Sequence, residues 1–355
     1  MTGAAGGARA SPLPNPKPVR RADRRPRRGP SRLFLPRESA RLRAARLVPL
    51  PLTVSLPRQI LPGSTYLLTQ RCSERRNLLC PSAVTNAIMG FLLAYAASHW
   101  GIEVHAVCVM SNHLHLVITD PDGNVPRFAQ HLLSLAGRAL NLVHGRTESF
   151  WRARPYSLVR LEGPEDIVRE MAYTFANPAS AGLVDRGCEW PGLWLGPETF
   201  GSQLTFARPE VLFGPRTRVP ASATLTLVPP KGFESLDELK RRVVERVELL
   251  EAEAREERER EGRTILGREA ALQVDPLSRP AKAEPRQRLS PRFAAFDPEL
   301  LRRARARWRA FKRLYRDALA KLREQVGPRD LRHVAFPAGT YLWRIRLGVN
   351  CLAEA

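Results

Sequence analysis

The chain has 355 residues, of which 57 are Lys or Arg and 35 are Asp or Glu, for a formal net charge of +22. With 43% hydrophobic residues, it can bury the core of one sizeable domain or of two small ones. So large an excess of positive charge predicts a polyanionic partner, and nucleic acid is favoured over a membrane because no apolar run of membrane-spanning length occurs. The five scattered cysteines form no Cys-x-x-Cys pair, which favours a reducing cytoplasm over a disulfide framework.

The first 48 residues are rich in Pro, Gly and Arg and have no periodic apolar pattern. We therefore expect a disordered basic arm over 1–48, which carries half of the excess charge. Such an arm can contact phosphates without recognising sequence, and a solubilising tail is an equally good interpretation. The arginines that we predict to contact DNA here are Arg24, Arg25, Arg27 and Arg28.

The central part of the chain alternates between strand-like and helix-like patterns. We predict strands at 65–71, 103–110, 113–119 and 156–161, and helices at 82–99, 125–144 and 164–177. The order βαββαβ followed by α predicts an α+β fold, namely a ferredoxin-like sheet with an added C-terminal helix. One face of such a sheet carries helices, whereas the other is open to nucleic acid and partly covered by the last helix. RNA-recognition modules expose a sheet in the same way, so a non-catalytic nucleic-acid binder is a rival interpretation.

Two histidines lie one residue apart in the predicted strand at 113–119. Side chains alternate along a strand, so His113 and His115 leave the same face while Leu114 enters the layer behind. Two imidazoles on one face could share a metal ion, although a bare His-x-His is also compatible with two ordinary half-buried histidines. By the same alternation His105 shares this face, but we expect it to be structural rather than a ligand.

The predicted helix at 164–177 has acidic residues in its first turn, and we expect Pro178 to end it. Tyr173 and Asn177 are four residues apart on this helix and are therefore neighbours on one face. The helix thus presents a phenol and an amide oxygen together.

These motifs give the chain a resemblance to the REP-associated tyrosine transposases, which are single-tyrosine HUH transposases. The resemblance covers roughly residues 62 to 185. It is carried by four segments in order, Thr65–Arg71, His105–Leu116, Phe150–Ser157 and Tyr173–Val184. It implies the HUH endonuclease fold, with Tyr173 as the nucleophile and with His113, His115 and Asn177 as ligands of a divalent ion. The chain departs from the family at Ser180, where Arg is frequent, and at the entry to the first helix, which is not Gly-rich.

The chemistry suits these residue types. A hard cation that neutralises a phosphate oxygen lowers the barrier to attack on a phosphodiester. Imidazole with an amide oxygen suits Mg²⁺ or Mn²⁺ with open positions, whereas a closed Zn²⁺ site needs four ligands, usually including thiolates. Attack by Tyr173 forms a covalent phosphotyrosine and divides one hard step into two. We predict that Arg71, Arg152 and Arg154, which lie within the matching segments, contact the DNA.

The remainder of the chain shows weaker signals. We predict a Pro- and Gly-rich linker over 191–233 and a mainly helical, basic extension of unknown role over 234–355. Ser235 and Glu238 form a capping box that opens a long charged helix, which we expect to be solvated or a coiled-coil arm. Trp308, Phe311 and Tyr315 follow helical spacing, which favours a packed stripe over stacking on bases.

Together these features predict a transposase domain over 62–190. We expect a metal-dependent, single-tyrosine DNA transposase that uses Mg²⁺ or Mn²⁺ to cleave and rejoin single-stranded DNA, at hairpins of the repeated extragenic palindromic (REP) type. It would be a monomer or homodimer, without membrane association, in the cytoplasm at the nucleoid. Two alternatives stay open: a non-catalytic regulator that binds hairpin DNA or RNA, and a metal-dependent nuclease whose tyrosine merely packs.

Overall fold

The computed structural model describes most of the chain after residue 55. The described residues are 56–153, 155–214, 216–280, 291–324 and 334–341. The predicted arm at 1–48, with Arg24, Arg25, Arg27 and Arg28, lies outside the described residues, as does Arg154. Within the described ranges, no helix has both the length and the apolar character needed to cross a membrane.

The centre of the molecule is an antiparallel sheet of four strands. They are β1 (Ser64–Arg71), β2 (Glu103–Val109), β3 (His113–Asp120) and β4 (Ser157–Leu161). Their spatial order is β2-β3-β1-β4, and all neighbours are antiparallel. This is the ferredoxin-like arrangement, so the predicted α+β fold class is confirmed. Two short strands that we did not predict extend the sheet, β5 (Trp194–Leu195) beside β2 and β8 (Phe293–Ala294) parallel to β4.

Three helices accompany this sheet, α1 (Ala83–Trp100), α2 (Val125–Val143) and α3 (Pro164–Ser180). The Ser82 side chain caps α1 by accepting a hydrogen bond from the Thr85 N–H, and Gly101 ends the helix in the left-handed conformation. Helices α1 and α2 pack against each other, and their apolar side chains share one core with Leu114 and Leu116 of β3. Helix α3 packs on the opposite face, over the histidines of β3.

Our prediction that Pro178 ends α3 is wrong, because the helix continues to Ser180. Proline lacks an N–H donor and costs about 3 kcal/mol inside a helix. Here it sits in the last turn, where the N–H groups of Ala181 and Leu183 still bond the carbonyls of Asn177 and Pro178. The residues around the proline are buried, so packing offsets the missing hydrogen bond.

The segment that we predicted as a linker over 191–233 differs from that prediction, because it contains β5 and a hairpin of β6 (Gln203–Ala207) and β7 (Ser222–Thr226). The hairpin packs on α1, where a Cβ on Gly90 would lie 2.3 Å from the Phe206 ring. Leu225 is buried in the main core. This segment is therefore part of the packed domain.

In the described parts of the remaining chain, three further α-helices follow, α4 (Leu236–Arg260), α5 (Arg268–Leu272) and α6 (Pro298–Glu324). The predicted cap of α4 is present, since the Ser235 side chain accepts from the Glu238 N–H at 3.0 Å. However, α4 is not a solvated arm: it packs along α3 with Leu239 and Val243 fully buried. In α6 the rings of Trp308, Phe311 and Tyr315 stack in sequence, and the latter two are buried. The predicted packed stripe is therefore confirmed.

Candidate active site

The two histidines of β3 lie side by side on one face of the sheet, as predicted. The ring centroids of His113 and His115 are 4.8 Å apart. His115 is only 4% exposed, and its Nδ1 lies 3.1 Å from the hydroxyl of Thr69, its partner on β1. Neighbouring strands thus position both imidazoles.

The hydrogen bonds of the two rings determine which nitrogens can bind a cation. His113 Nδ1 lies 2.6 Å from Asn112 Oδ1, and because an amide oxygen only accepts, this nitrogen is the donor; in the neutral ring Nε2 then carries a lone pair. When His115 Nδ1 donates to Thr69 Oγ1, its Nε2 also carries a lone pair. That Nε2 is buried and has no hydrogen-bond partner among the described residues. An unsatisfied buried nitrogen costs about 1–3 kcal/mol, which a bound cation would recover.

Tyr173 lies next to this histidine pair. Its ring centroid is 5.3 Å from that of His115, with the ring planes nearly perpendicular at 85°. The Tyr173 hydroxyl is hydrogen-bonded to the side chain of Asn177, one turn further along α3. Asn177 is buried, whereas Tyr173 is 42% exposed. The structure therefore brings Tyr173, Asn177 and His115 into one site and leaves the tyrosine accessible.

Burial sets the protonation states of the site. Desolvation lowers the pKa of His115 well below its usual value of 6.5, and the nearby His113 and Arg71 act in the same direction. Desolvation also raises the pKa of Tyr173 above 10.0, although the Asn177 hydrogen bond opposes this effect. These shifts favour the neutral form of His115, which is the form that binds a metal ion, and the protonated form of Tyr173.

Two predicted DNA-binding arginines lie at this end of the sheet. Arg71 is paired with His113 across β1 and β3, and its charge lowers the pKa of both His115 and Tyr173. The Arg152 N–H donates to the Arg71 carbonyl at 2.9 Å, which places exposed Arg152 beside the end of β1. Their contact with DNA stays a prediction.

A cleft of about 330 Å³ opens beside the tyrosine, between α3 and α4. It is lined by Arg169, Glu170, Tyr173, Arg246 and Leu250. Arg246 belongs to α4, and in the described part of the chain it has no carboxylate partner. We did not predict Arg246 as a site residue, because nothing in its densely charged sequence distinguishes it from its neighbours.

Helix α4 braces the tyrosine helix along its length. The contacts run in the same order on both helices, from Arg242 bonded to Glu165 near the start of α3, at 2.8 Å, to Arg258 bonded to the Ala179 carbonyl near its end, at 3.2 Å. The two helices are therefore parallel. Arg255 and Arg258 both pair with Asp185, just after α3.

The turn after α3 is also held close to the helix. The Gly187 N–H donates to the buried Glu251 carboxylate at 2.7 Å. A Cβ at position 187 would lie 2.0 Å from the Phe175 carbonyl oxygen, so only glycine fits there. Because that oxygen also accepts from Trp194 Nε1 at 3.0 Å, the middle of α3 is tied to β5.

His105 lies on the same sheet face but outside this site. Its Nδ1 bonds the Val228 carbonyl at 2.6 Å, and its Nε2 bonds the Thr119 hydroxyl at 2.7 Å. Burial lowers the pKa of His105 to about 4. Both ring nitrogens are occupied, so the structural role that we predicted for this histidine agrees with its contacts.

The identity of a metal at this site stays a prediction. Among the described residues, no group of three or more His, Cys, Asp or Glu side chains is placed to hold a metal ion. What the site offers is two imidazoles and the amide of Asn177, a set with positions left for water or phosphate.

No protein-family model matches the sequence, and no curated protein matches it. Among solved structures, the chain is similar to a REP-associated tyrosine transposase bound to a REP hairpin, at 18% identity over 39% of this chain and 81% of that chain, with a TM-score of 0.34. It is also similar to a candidate transposase from Deinococcus radiodurans R1, at 18% identity over 30% of this chain and 85% of that chain, with a TM-score of 0.24. The first belongs to the family that the sequence motifs resemble.

Proposed function

We propose that this protein is a metal-dependent, single-tyrosine transposase that cleaves and rejoins single-stranded DNA through a 5′-phosphotyrosine intermediate. The observation that carries the proposal is the position of Tyr173, whose accessible ring lies 5.3 Å from His115, a histidine with a buried nitrogen that has no partner among the described residues. A tyrosine beside an imidazole nitrogen that can bind a cation suits metal-assisted cleavage of a phosphodiester by a covalent route.

In this proposal His113, His115 and Asn177 hold Mg²⁺ or Mn²⁺. The bound cation supplies charge neutralisation at a non-bridging oxygen of the scissile phosphate. The protein's own part is to keep His115 neutral through burial and to fix the ring orientations through Thr69 and Asn112.

The covalent step exchanges one P–O bond for another. The Tyr173 oxygen bonds to phosphorus, the P–O3′ bond breaks, and the departing 3′ oxygen takes up a proton. Because desolvation raises the tyrosine pKa, its proton must leave during the attack. Glu170, the one carboxylate among the residues lining the cleft, is the acceptor that we propose. Reversal of the same step, with another 3′ hydroxyl as the attacking group, rejoins the strand.

DNA is the proposed substrate because of the net charge of +22 and the arginines at this end of the sheet. Arg71 and Arg152 would contact its phosphates. A REP-like hairpin is the candidate target, as the resemblance of the sequence motifs implies, and the nucleoid is the candidate location.

The test is incubation of the protein with an end-labelled single-stranded hairpin and Mn²⁺, followed by a denaturing gel. We expect a protein–DNA adduct that survives denaturation. Tyr173→Phe keeps the ring but removes the attacking oxygen, so adduct and cleavage should both disappear. Tyr95→Phe is the matched control: it removes a hydroxyl from a ring that stacks on Phe91 in α1, and it should leave the adduct unchanged.

Two other outcomes would reject the proposal in different ways. Metal-dependent cleavage by Tyr173→Phe, with no protein attached to the 5′ end, would establish a nuclease. Hairpin binding by the wild-type protein without cleavage or adduct would establish a regulator.

A further inference from the structure

A second cleft, of about 450 Å³, lies where β4 and β8 end the sheet. Tyr66 of β1 and Arg160 of β4 line its floor, and they are paired across the two strands. Side chains alternate along each strand, so these two project from the face opposite Thr69 and the histidines. The walls include Arg58, before β1, and Arg292, before β8. This cleft is therefore separate from the candidate active site.

The positive charge in the cleft exceeds the negative charge beside it. Arg160 pairs with Glu162 at 3.0 Å, and the same carboxylate pairs with Arg307 at 2.6 Å. One carboxylate therefore serves two guanidinium groups. Arg58 and Arg292 have no carboxylate partner within the described residues. Two positive charges in a half-buried cleft are left without a counter-ion from this part of the protein.

Both unpaired guanidinium groups are held in place by aromatic rings. Arg58 lies 4.2 Å above the Tyr156 ring and donates to the Tyr156 carbonyl. Arg292 lies 4.5 Å above the Trp308 ring. Burial and the positive charge of Arg58 both lower the pKa of Arg292, which indicates that the two groups are close enough to repel.

We infer that this cleft binds the phosphate ester of a nucleotide, with Arg58 and Arg292 holding the phosphate oxygens. Guanidinium groups fixed on aromatic rings recognise phosphate well, because their planar forks match its geometry and lose little freedom on binding. The volume lies in the range of small-ligand sites, and the apolar side chains of Leu158 and Phe293 offer a surface for sugar and base.

The phosphate ester can come from a DNA strand or from a free mononucleotide, and the charge of the whole chain favours the strand. A strand bound here would be held on the sheet face opposite Tyr173. This inference goes beyond the proposed function, since it concerns DNA away from the cleaved bond.

The first experiment uses the unmodified full-length protein. Phenylglyoxal modifies accessible arginines, and mass spectrometry reports each site. We expect a twelve-nucleotide oligothymidylate to protect Arg58 and Arg292, while Arg305 and Arg309, exposed on α6, stay reactive. Protection by thymidine monophosphate alone would identify a free nucleotide as the ligand. Equal modification of all four arginines with either probe would overturn the inference.

The second experiment compares two double variants with the same loss of charge. Arg58→Gln with Arg292→Gln should weaken oligothymidylate binding at least about tenfold. The slope of log affinity against log salt concentration should become shallower by about one to two, because one or two phosphate contacts are lost. Arg305→Gln with Arg309→Gln should change the affinity less than about twofold. Equal effects of the two pairs would mean that only net charge matters, which contradicts the inference.

A third measurement separates this inference from the proposed function. The readout is tyrosine-adduct formation by the wild-type protein at saturating hairpin, because Tyr173 and the histidines lie on the opposite face of the sheet from this cleft. Arg58→Lys with Arg292→Lys keeps the charge and should bind more tightly than the Gln pair. If the Gln pair does not fold, the protection experiment decides the inference. Failure of adduct formation in the wild-type protein with intact protection would reject the proposed function alone.

Discussion

The two ends of one sheet face each carry a buried histidine, and the two rings differ in their hydrogen bonding. At one end Thr65 bonds Thr119, Thr119 bonds His105, and His105 bonds the Val228 carbonyl, so both ring nitrogens have partners. At the other end His115 is almost as deeply buried, yet its Nε2 has no partner among the described residues. The two rings are buried to a similar extent, but their hydrogen bonds differ.

This difference distinguishes a structural histidine from one that can bind a ligand. Buried polar atoms are almost always paired, and a complete network rigidifies the fold around it. An unpaired buried polar atom destabilises the folded protein. Such an atom is therefore expected where the protein needs it to bind a ligand. The paired ring nitrogens of His105 fit a structural role, and the unpaired nitrogen of His115 supports the catalytic role that we propose for the other end.

The largest expected effect comes from removing His115, whose Nε2 has no hydrogen-bond partner among the described residues. His115→Ala should lower metal-stimulated cleavage by about 10³-fold, since a catalytic cation contributes several kcal/mol to phosphate-oxygen stabilisation. Removal of the metal from the wild-type protein with EDTA should cause a loss of similar size. Rates of adduct formation, measured with and without Mn²⁺, check both. Full activity of the wild type in EDTA would contradict a metal-binding role for His115 and would leave no functional difference between the two histidines.

The hairpin affinity of His115→Ala provides the control for this variant. It should stay within about twofold of the wild type, because phosphate contacts elsewhere supply most of the binding energy. A large loss of affinity together with a lower melting temperature would indicate a core histidine instead.

The opposite end should show its role in the pH dependence of stability. The pKa of His105 is about 4 in the folded protein and near 6.5 when unfolded, so the unfolded state binds more protons between these values. The contribution of His105 to the free energy of unfolding is fully present above pH 6.5. It is lost as the pH falls towards 4, a loss of about 3 kcal/mol. Urea unfolding in EDTA at several pH values measures the slope.

His105→Gln removes the titrating ring and should flatten that slope, while adduct formation at pH 7.5 stays near the wild-type rate. His115 acts in the same direction, because burial lowers its pKa as well, so some slope remains. An unchanged slope would show that His105 does not carry the proton.

The smallest expected effect concerns Arg246 of helix α4, at the cleft beside Tyr173. Arg246 of α4 lines the cleft beside Tyr173 without a carboxylate partner among the described residues, so we expect it to orient the strand phosphate there. Arg246→Gln should lower the rate of adduct formation about tenfold, the range for one charge-assisted hydrogen bond. The control is Arg241→Gln, an exposed arginine paired with Glu245, which should have little effect. Equal rates of adduct formation for the two variants would show that Arg246 does not act in the site beside Tyr173.

The four central strands and the first three helices could be predicted from the sequence to within a few residues. Their signals are local, since alternation of apolar residues marks strands and a 3.6-residue period marks helices. The pairing of Tyr173 with Asn177 is likewise local, because four residues make one helical turn. These parts of the fold and of the site depend on spacing alone.

The rest depends on contacts between distant segments. The two-residue strands β5 and β8 exist only through their pairing with β2 and β4. The hydrogen bonds of His105 need Val228, which is 123 positions away in the sequence. No sequence spacing predicts that His115 Nε2 has no partner among the described residues. Arg246 reaches the cleft only because α4 lies parallel to α3.

The brace formed by α4 also has a consequence for protein synthesis. Arg258, which clamps the end of the tyrosine helix through Asp185, follows that residue by 73 positions. A ribosome therefore releases Tyr173 and both histidines well before the helix that steadies them. Because domains fold from the N-terminus as they emerge, we expect a nascent or prematurely terminated chain to carry the sheet but not a fixed nucleophile. Under the proposed function, such a product would bind hairpin DNA without cleaving it, and cleavage would begin only once α4 has been synthesised.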